Sequence, residues 1–365
     1  MNYKKLTIYL IIIIALAFVL FFLFVKNVQA PKYIEAVVKG ETVQLPIENN
    51  LQTTSTERIL PKETAIIFGG DVMLSRVVGQ KMVKYNDFTW PFKKVADVLK
   101  NANYSVVNLE SPLTYSKSYL VQTGSFSFNA DPKSTQGLKL AGIDLVSLAN
   151  NHFGNQGKKG MTDTFKILTD AGIKYAGAGN NLSQAHDFKK QNINGMDFCF
   201  LAYAYPDDLY IAGSSTPGMA SMNLTMMKND VSKAKKSCDK VIVMMHSGIE
   251  YVNKPNAQQK NFAHIAIDSG ADMVVGHHPH WVQITEIYKG KAIIYSLGNL
   301  VFDQMWSKET AQGALAKAYF KDDVLEKIEI IPIEIKDYGQ AVLATGTVAQ
   351  EILKRMELNS GTINF

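Results

Sequence analysis

The sequence predicts an α/β fold, and two observations lead to that prediction. Short apolar runs rich in β-branched residues alternate with longer helical segments, as expected for sheets covered by helices. Each apolar run also stops abruptly at polar residues, as strands do where an open α/β sheet builds a site at their carboxyl ends. The predicted strands are residues 65–68, 106–109, 145–148, 241–245, 272–275 and 293–296. The predicted helices are residues 92–100, 157–171, 225–236 and 256–269.

The N-terminal segment predicts a membrane anchor. Residues 6–25 carry no charge and are long enough to cross about 30 Å of hydrocarbon as a helix. A cleaved signal peptide is the alternative, but the apolar stretch is long for one and Pro31 follows the only candidate cleavage site. We therefore expect a single-pass protein of the cell membrane, with residues 1–5 in the cytoplasm and the main domain outside.

The rest of the chain is predicted to contain a linker, one large domain and a tail. Residues 26–63 are polar and are expected to form a juxtamembrane linker, and the main domain is expected at residues 64–358. Within it, residues 314–332 predict an antiparallel hairpin around a Lys-Asp-Asp turn, and residues 348–358 predict a last amphipathic helix. Residues 359–365 remain as a C-terminal tail.

Composition excludes several classes of function. Residues 33–365 carry 34 basic and 33 acidic side chains, a net charge of +1, so no basic field indicates nucleic-acid binding. Cys199 and Cys238 are too few for a disulfide framework and are expected to be buried thiols. The absence of a P-loop from the sequence argues against polymer synthesis from ATP by this chain alone.

Histidines beyond the apolar runs indicate a metal site. Residues 277–280 are His-His-Pro-His, and three imidazoles so close together are hard to explain as packing. In an extended loop His278 and His280 can point the same way, so we expect these two as ligands, with His277 behind them. His186 lies in a polar stretch and is expected to be solvated, whereas His264 is expected to be a packed or surface residue of a helix.

Carboxylates and amides end other predicted strands. Asp71 and Glu110 are each either a metal ligand or a turn residue, but a carboxylate after so apolar a strand is costly to bury without a cation. Asn151 beside His152 can serve metal and substrate together, and a helix cap next to a core histidine is the alternative. Asn299 and Asp303 either orient ligands or form a turn.

Six ordered motifs, covering roughly residues 64–358, resemble the signature series of the CapA capsule-biosynthesis proteins, which are associated with bacterial poly-γ-glutamate. The motifs are Gly70-Asp71-Val72-Met73-Leu74, Asn108-Leu109-Glu110, Ala149-Asn150-Asn151-His152, His246-Ser247-Gly248-Ile249-Glu250-Tyr251, Gly276-His277-His278-Pro279-His280 and Ser296-Leu297-Gly298-Asn299. That family is similar in turn to calcineurin-like metallophosphoesterases. The resemblance therefore implies a four-layer α-β-β-α sandwich of metallophosphoesterase type, following the N-terminal transmembrane helix.

The resemblance also implies roles for individual residues. Asp71 would be the first metal carboxylate, Glu110 the bridging carboxylate and His152 the catalytic acid that protonates a leaving group. The implied metal ligands are Asp71, Glu110, Asn151, His246, His278 and His280. Residues expected to support these ligands or the substrate are His277, Asn150, Glu250, Asn299 and Asp303. One or two divalent transition-metal ions are expected, Mn, Fe or Zn.

The chain departs from the two families at two positions. Met73 stands where metallophosphoesterases carry a histidine ligand, and a thioether is a poor ligand for hard or borderline divalent ions. Ser247 stands where CapA proteins commonly carry tryptophan, which affects packing on the substrate side more than metal binding. Met73 therefore leaves open whether the site holds two ions or one.

Together with the predicted membrane span, the resemblance leads us to expect a membrane-anchored extracytoplasmic protein of poly-γ-glutamate capsule biosynthesis or export, with a metal-dependent hydrolase or transferase site. One alternative is a non-catalytic polymer-handling subunit of the capsule synthesis complex. Another is a metal-dependent phosphodiesterase that acts on a cell-envelope substrate. The expected partners are the membrane, other capsule synthesis and export subunits and an anionic polymer, but not nucleic acid.

Overall fold

The computed structural model describes residues 63–116, 125–205 and 210–365. In chain order the strands of this part are Thr64–Val72 (β1), Tyr104–Leu109 (β2), Leu145–Ser147 (β3), Lys174–Ala176 (β4), Ala178–Gly179 (β5), Lys189–Ile193 (β6), Met196–Ala204 (β7), Gly218–Met219 (β8), Lys240–His246 (β9), Met273–His277 (β10), Thr285–Tyr288 (β11), Lys291–Ile294 (β12), Asn299–Val301 (β13), Gln312–Lys321 (β14), Val324–Lys336 (β15), Gln340–Leu343 (β16) and Thr362–Asn364 (β17). The α-helices are Arg76–Lys84 (α1), Ala96–Lys100 (α2), Thr135–Leu140 (α3), Gly157–Ala171 (α4), Leu182–Ala185 (α5), Leu224–Lys235 (α6), Ala257–Asp268 (α7) and Gly346–Arg355 (α8).

The strands form two large mixed sheets and one small pair. The first sheet has the order β16-β15-β14-β1-β2-β3-β4, with β13 also paired to β1 and β17 to β15. The second sheet has the order β11-β12-β10-β9-β7-β6, and β5 pairs with β8. Strands β1 to β4 run parallel in the first sheet, as do β7, β9, β10 and β12 in the second. The predicted α/β class is confirmed.

Alternate side chains of the second sheet enter two different cores. In β7, Phe198 and Phe200 face the first sheet, and the Phe200 ring stacks on Tyr104 of β2 with centroids 5.3 Å apart. The intervening Cys199 and Leu201 pack in a separate core with apolar side chains of α6 and α7. This alternation with a period of two buries both faces of the sheet.

The first sheet is also covered on both faces. Tyr104 of β2 faces the second sheet, whereas the hydroxyl of the next residue, Ser105, donates a hydrogen bond to the Leu99 carbonyl of α2 at 2.8 Å. Apolar side chains of α3 and α4 belong to the same core. The four-layer arrangement that the resemblance implies stays a prediction beyond the two mixed sheets described here.

Local sequence signals explain where the helices begin and end. Asn256 and Gln259 form a reciprocal capping box at the start of α7, which satisfies backbone N–H groups that the first turn leaves free. The longest helix of the described residues, α4, ends at Gly172, whose φ of 75° lies in the left-handed region that favours glycine. Both ends lie within a residue or two of the sequence prediction.

The C-terminal part of the domain closes the first sheet. Strands β14 and β15 form the predicted antiparallel hairpin, which extends further at both ends than the sequence indicates. The predicted last helix is present as α8. The expected tail contains β17, which pairs with β15.

The predicted transmembrane helix at residues 6–25 and nearly all of the predicted linker lie outside the described residues. Within residues 63–116, 125–205 and 210–365, no helix combines the length and the apolar character needed to span a bilayer.

The prediction of two buried thiols is wrong, because Cys199 and Cys238 form a disulfide with Cα atoms 5.8 Å apart. Cys199 lies in β7, and Cys238 lies between α6 and β9. Since β7 pairs in parallel with β9, the crossover through α6 returns the chain beside Cys199 just before β9 begins. The 39-residue separation carries no local signal of this contact.

We predict that the disulfide stabilises the domain. Replacing both cysteines, as Cys199→Ala with Cys238→Ser, should lower the free energy of unfolding by about 2–4 kcal/mol, because the unfolded chain regains the entropy of an open loop. Urea unfolding of the variant and of oxidised and reduced wild type measures the difference. Two alkylatable thiols in unreduced, denatured wild-type protein would contradict the assignment.

Candidate metal centre

The polar residues predicted to form a site lie at the carboxyl ends of parallel strands in both sheets. Asp71 is near the end of β1, Glu110 follows β2 and Asn151 lies a few residues after β3. From the second sheet, His246 ends β9 and His278 follows β10. Because the two sheets pack face to face, these strand ends meet at one edge of the sandwich.

Close backbone approach and strained dihedrals allow this convergence. A Cβ atom on Gly70 would lie 2.0 Å from the Gly298 carbonyl oxygen, so only glycine lets β1 come this close to the chain before β13. His278 and His280 have φ values of 98° and 56°, which are unfavourable for residues with side chains. Strain of this kind concentrates at functional sites.

Three buried side chains form a group that could hold a metal ion. One donor atom each from Asp71, Glu110 and His246 lie within 4.8 Å of one another. Asn108 connects two of them, because its amide nitrogen donates to Asp71 Oδ1 at 2.8 Å and lies 3.2 Å from His246 Nδ1. Asn150 in turn donates to Asn108 Oδ1 at 3.2 Å. Asn108 is a site residue that sequence reasoning missed, although it lies two positions before Glu110.

A second donor group adjoins the first. His246 Nε2 lies 2.9 Å from Asn151 Oδ1 and 3.1 Å from His278 Nδ1. Atoms that share one transition-metal ion at about 2.0–2.2 Å are separated from each other by roughly 3 Å, so this spacing fits a shared ion.

His280 contacts the carboxylates on the other side. His280 Nε2 is 3.7 Å from Glu110 Oε1, and Nδ1 is 3.5 Å from Asp71 Oδ2. Asn299 Oδ1 lies 2.9 Å from Nδ1, and the Asn299 amide is itself fixed by hydrogen bonds to Gln304 and Thr310. The contact with Asn299 leaves Nε2 of the imidazole facing Glu110, an arrangement in which Asn299 could orient a ligand.

The Glu110 carboxylate provides the test of whether a metal fits this site. Its side chain is 0% exposed and both oxygens lack a hydrogen-bond partner. Burial raises the pKa of Glu110 well above its usual range, and the neighbouring Asp71 charge raises it further. For Asp71, burial would raise the pKa, but the His280 hydrogen bond and the electrostatic attraction of the nearby imidazoles outweigh it and hold the pKa low. A bound cation would supply the charge and the coordination that Glu110 lacks.

The histidines of the site are in the form that metals bind. Burial is the largest cause that lowers the pKa of His246 and His277, and it lowers that of His278 to about 4. All three imidazoles are therefore neutral near pH 7 and can offer a nitrogen lone pair. His277 Nε2 lies 3.2 Å from the Gly69 carbonyl oxygen. The supporting role expected of His277 stays a prediction.

His152 lies beside the carboxylates with a defined orientation. Its Nδ1 is 3.0 Å from Asn155 Oδ1 and 3.1 Å from the Phe126 carbonyl oxygen, two acceptors that place the proton on Nδ1. Its Nε2 then carries the lone pair, 3.8 Å from Glu110 Oε1. Burial lowers the pKa of His152 to about 4, so the ring is neutral near pH 7.

A cavity of about 310 Å³ opens beside the second donor group. Its wall combines the donor side chains with small residues that leave room for a ligand. The lining residues are Asn151, Ala204, Tyr205, His246, Gly248, Gln258 and His278. A substrate in this cavity would contact three of the predicted ligands directly.

The remaining predicted residues have varied surroundings. Glu250 is half-buried, and its charge contributes to the raised pKa of Glu110. Asp303 pairs with Arg76, a buried arginine that sequence reasoning did not single out. Met73 is buried, and its sulfur accepts a hydrogen bond from the Ser75 backbone N–H at 3.1 Å. Ser247 is also buried.

Two histidines were predicted to lie outside the site. His264 is a half-buried residue of α7 that stacks on Tyr288, as predicted. His186 is buried rather than solvated, with Nδ1 2.8 Å from Asp230 Oδ2, so that prediction is wrong. The polar sequence around His186 does not reveal that α6 supplies a carboxylate to cover it.

The fold and these residues define an α/β protein with a buried Asp/Glu/His group at the carboxyl ends of its strands. The family model described as bacterial capsule synthesis protein PGA_cap matches residues 65–304, and the chain belongs to that family. It is 33% identical to the capsule biosynthesis protein CapA of Bacillus anthracis over 86% of this chain and 79% of that protein. It is 32% identical to the PGA biosynthesis protein CapA of Bacillus subtilis (strain 168), over 79% and 76%.

A solved structure, a 5′-nucleotidase precursor from Thermus thermophilus, aligns with a TM-score of 0.45 and 12% identity over 81% of this chain and 57% of that one.

We predict that Glu110→Gln weakens metal binding and also removes the pH dependence of stability that Glu110 causes. The variant should bind metal at least about tenfold more weakly, because an amide is a poorer ligand than a carboxylate. In wild-type protein treated with chelator, the folded pKa of Glu110 lies above the unfolded value of 4.5, so stability falls as the pH rises between the two. Glutamine does not ionise, so the variant should escape this loss.

Elemental analysis, and urea unfolding of the chelated proteins between pH 5 and pH 8, measure both effects. Glu286→Gln is the matched control, since Glu286 pairs with His264 and Tyr295 away from the centre. Wild-type metal content in Glu110→Gln would remove Glu110 from the ligand set.

Proposed function

We propose that this chain is a membrane-anchored extracytoplasmic protein of poly-γ-glutamate capsule biosynthesis or export that carries a metal-dependent hydrolase or transferase centre. The observation that supports the centre most strongly is the Glu110 carboxylate, buried with both oxygens unpaired beside Asp71 and His246. Membership of the PGA_cap family supports the capsule role.

The two donor groups suggest how metal would be held in a metallophosphoesterase-like centre. Asp71 and Glu110 would hold one ion together with His280, which lies near both carboxylates. His246 would hold the neighbouring ion with Asn151 and His278, because its Nε2 lies close to both of them. Glu110 would lie near both ions. The ions would be Mn, Fe or Zn, which suit a mixed set of imidazole and carboxylate ligands. Met73 would add no ligand to the first ion, because its sulfur already accepts a hydrogen bond from the Ser75 N–H.

When bound, divalent ions in such a centre polarise an ester or amide bond and lower the pKa of water. The residues of this chain position the reactants and move the proton. Asn151 and His278 line the cavity, so they can orient a substrate there. The neutral His152 can take up at Nε2 the proton that the attacking water releases and deliver it to the leaving group, while Asn155 Oδ1 holds the opposite nitrogen, Nδ1.

A second candidate function has a specific observation in its favour. With a pKa lowered to about 4, His152 is seldom protonated near pH 7 and is a weak proton donor in that state. This favours a non-catalytic subunit in which metal held by Glu110 and the histidines binds the carboxylates of an anionic polymer. Such a subunit would handle polymer for the capsule synthesis and export machinery.

The disulfide supports an extracytoplasmic location for the main domain. Disulfides persist in oxidising compartments and are rare in the cytosol. The uncharged stretch at residues 6–25 would then anchor the domain to the outer side of the cell membrane.

We predict that His152→Ala distinguishes the two functions. A catalytic centre should keep its metal but lose hydrolysis by a factor on the order of 10² to 10⁴, together with the capsule phenotype, because proton transfer is lost. Purified full-length protein with Mn²⁺, assayed on γ-glutamyl polymer and on a phosphodiester, measures the rate. His264→Ala is the control histidine.

A His152→Ala strain with a full-size capsule and normal metal content would favour the polymer-handling function. Turnover of the phosphodiester alone would instead favour a phosphodiesterase of the cell envelope.

We predict that protease added to intact cells removes the main domain. The expected result follows from the span at residues 6–25, and an immunoblot against the C-terminus measures it. Protection of the domain, while a surface control is digested, would reverse the orientation. A mature N-terminus near residue 31 would show that the span is cleaved.

A further inference from the structure

Arg76, directly after the loop that follows Asp71, has an unusual position for a charged residue. It is buried, and it begins α1 with a φ of 48° in the left-handed region. A buried arginine without a partner is costly, and here the partner is Asp303. The guanidinium contacts both Asp303 oxygens, through Nη2 and through Nε at 3.2 Å, and the Val77 N–H donates to Asp303 Oδ2 at 3.1 Å.

The guanidinium also lies against two aromatic rings. Its Cζ atom is 4.9 Å from the centroid of Phe128 and 5.6 Å from that of Phe302, distances at which a cation is attracted to a ring. The two rings meet edge to face with centroids 6.0 Å apart. The ion pair therefore fixes the position of both rings.

Each phenylalanine ring contacts one histidine of the candidate centre. Phe128 stacks on His152 with centroids 3.9 Å apart, and Phe302 packs edge to face on His280 with centroids 4.8 Å apart. The contacts thus run from one buried ion pair, through two rings, to the two histidines whose Nε2 atoms face Glu110.

We propose that Arg76 and Asp303 are positioning residues that orient His152 and His280 through Phe128 and Phe302. The inference rests on the metal centre proposed above and adds to it a support that acts without touching metal or substrate. It specifies the supporting role expected of Asp303, which would act through Arg76 and the two rings rather than by contact with a ligand. Supports of this kind typically contribute 10–100-fold to metal affinity.

Substitutions at two aspartates that pair with cations of α1 test this proposal. Asp303→Asn removes the partner of Arg76, and Asp337→Asn, the matched control, removes the exposed partner of Lys81. Full-length proteins are stripped of metal and titrated with Co²⁺, whose visible absorption bands report the arrangement of its ligands. Asp303→Asn should weaken Co²⁺ binding by about 10–100-fold and shift the bands, whereas Asp337→Asn should match wild type.

Phe302→Leu keeps the ion pair and removes only the ring that contacts His280. If Asp303→Asn fails to fold, this variant still tests whether the ring positions His280. It should shift the bands as well. Both Asp303→Asn and Phe302→Leu could bind Co²⁺ with wild-type affinity and wild-type absorption bands, even if they unfold at a lower temperature. That result would overturn the positioning role but leave the metal centre standing. A wild-type chain that binds no Co²⁺ would overturn the metal centre and this inference together.

Discussion

Burial of the Glu110 carboxylate is the constraint on which the site depends. A carboxylate removed from water and left without hydrogen bonds is unstable unless it takes up a proton or a cation binds beside it. Asp71, equally buried, is held in the charged form by its surroundings, so the two acids are driven to opposite protonation states. The imidazoles of the site are neutral and supply no positive charge to the carboxylates. A bound cation would supply that charge.

The architecture follows from the need to bring these groups together. Each sheet alone supplies only part of the set, with the carboxylates on the first sheet and most of the imidazoles on the second. Face-to-face packing unites them, and close approach at Gly70 lets β1 reach the chain before β13. Amides then fix the donors, since Asn108 holds Asp71 and Asn299 holds His280.

Much of this could be predicted from the sequence, for a physical reason. Buried parallel strands have unbroken apolar sequences. The polar residues that follow such strands lie together at one edge of the sheet. Pairings between distant residues leave no comparable pattern. The Cys199–Cys238 disulfide, the Asp230 carboxylate that buries His186 and the Arg76–Asp303 ion pair each depend on a crossover or loop whose path only the folded chain defines.

The place of β1 in the first sheet has a consequence for how the chain matures. This first strand lies between β2, which follows it closely, and β14, which is made when synthesis of the domain is nearly complete. A chain that emerges from its N-terminus therefore leaves one edge of β1 unpaired until the final hairpin arrives. Closing so long a loop is slow, and an open strand edge invites aggregation in the meantime. The first sheet is therefore complete only after the C-terminal hairpin has been made and has paired with β1.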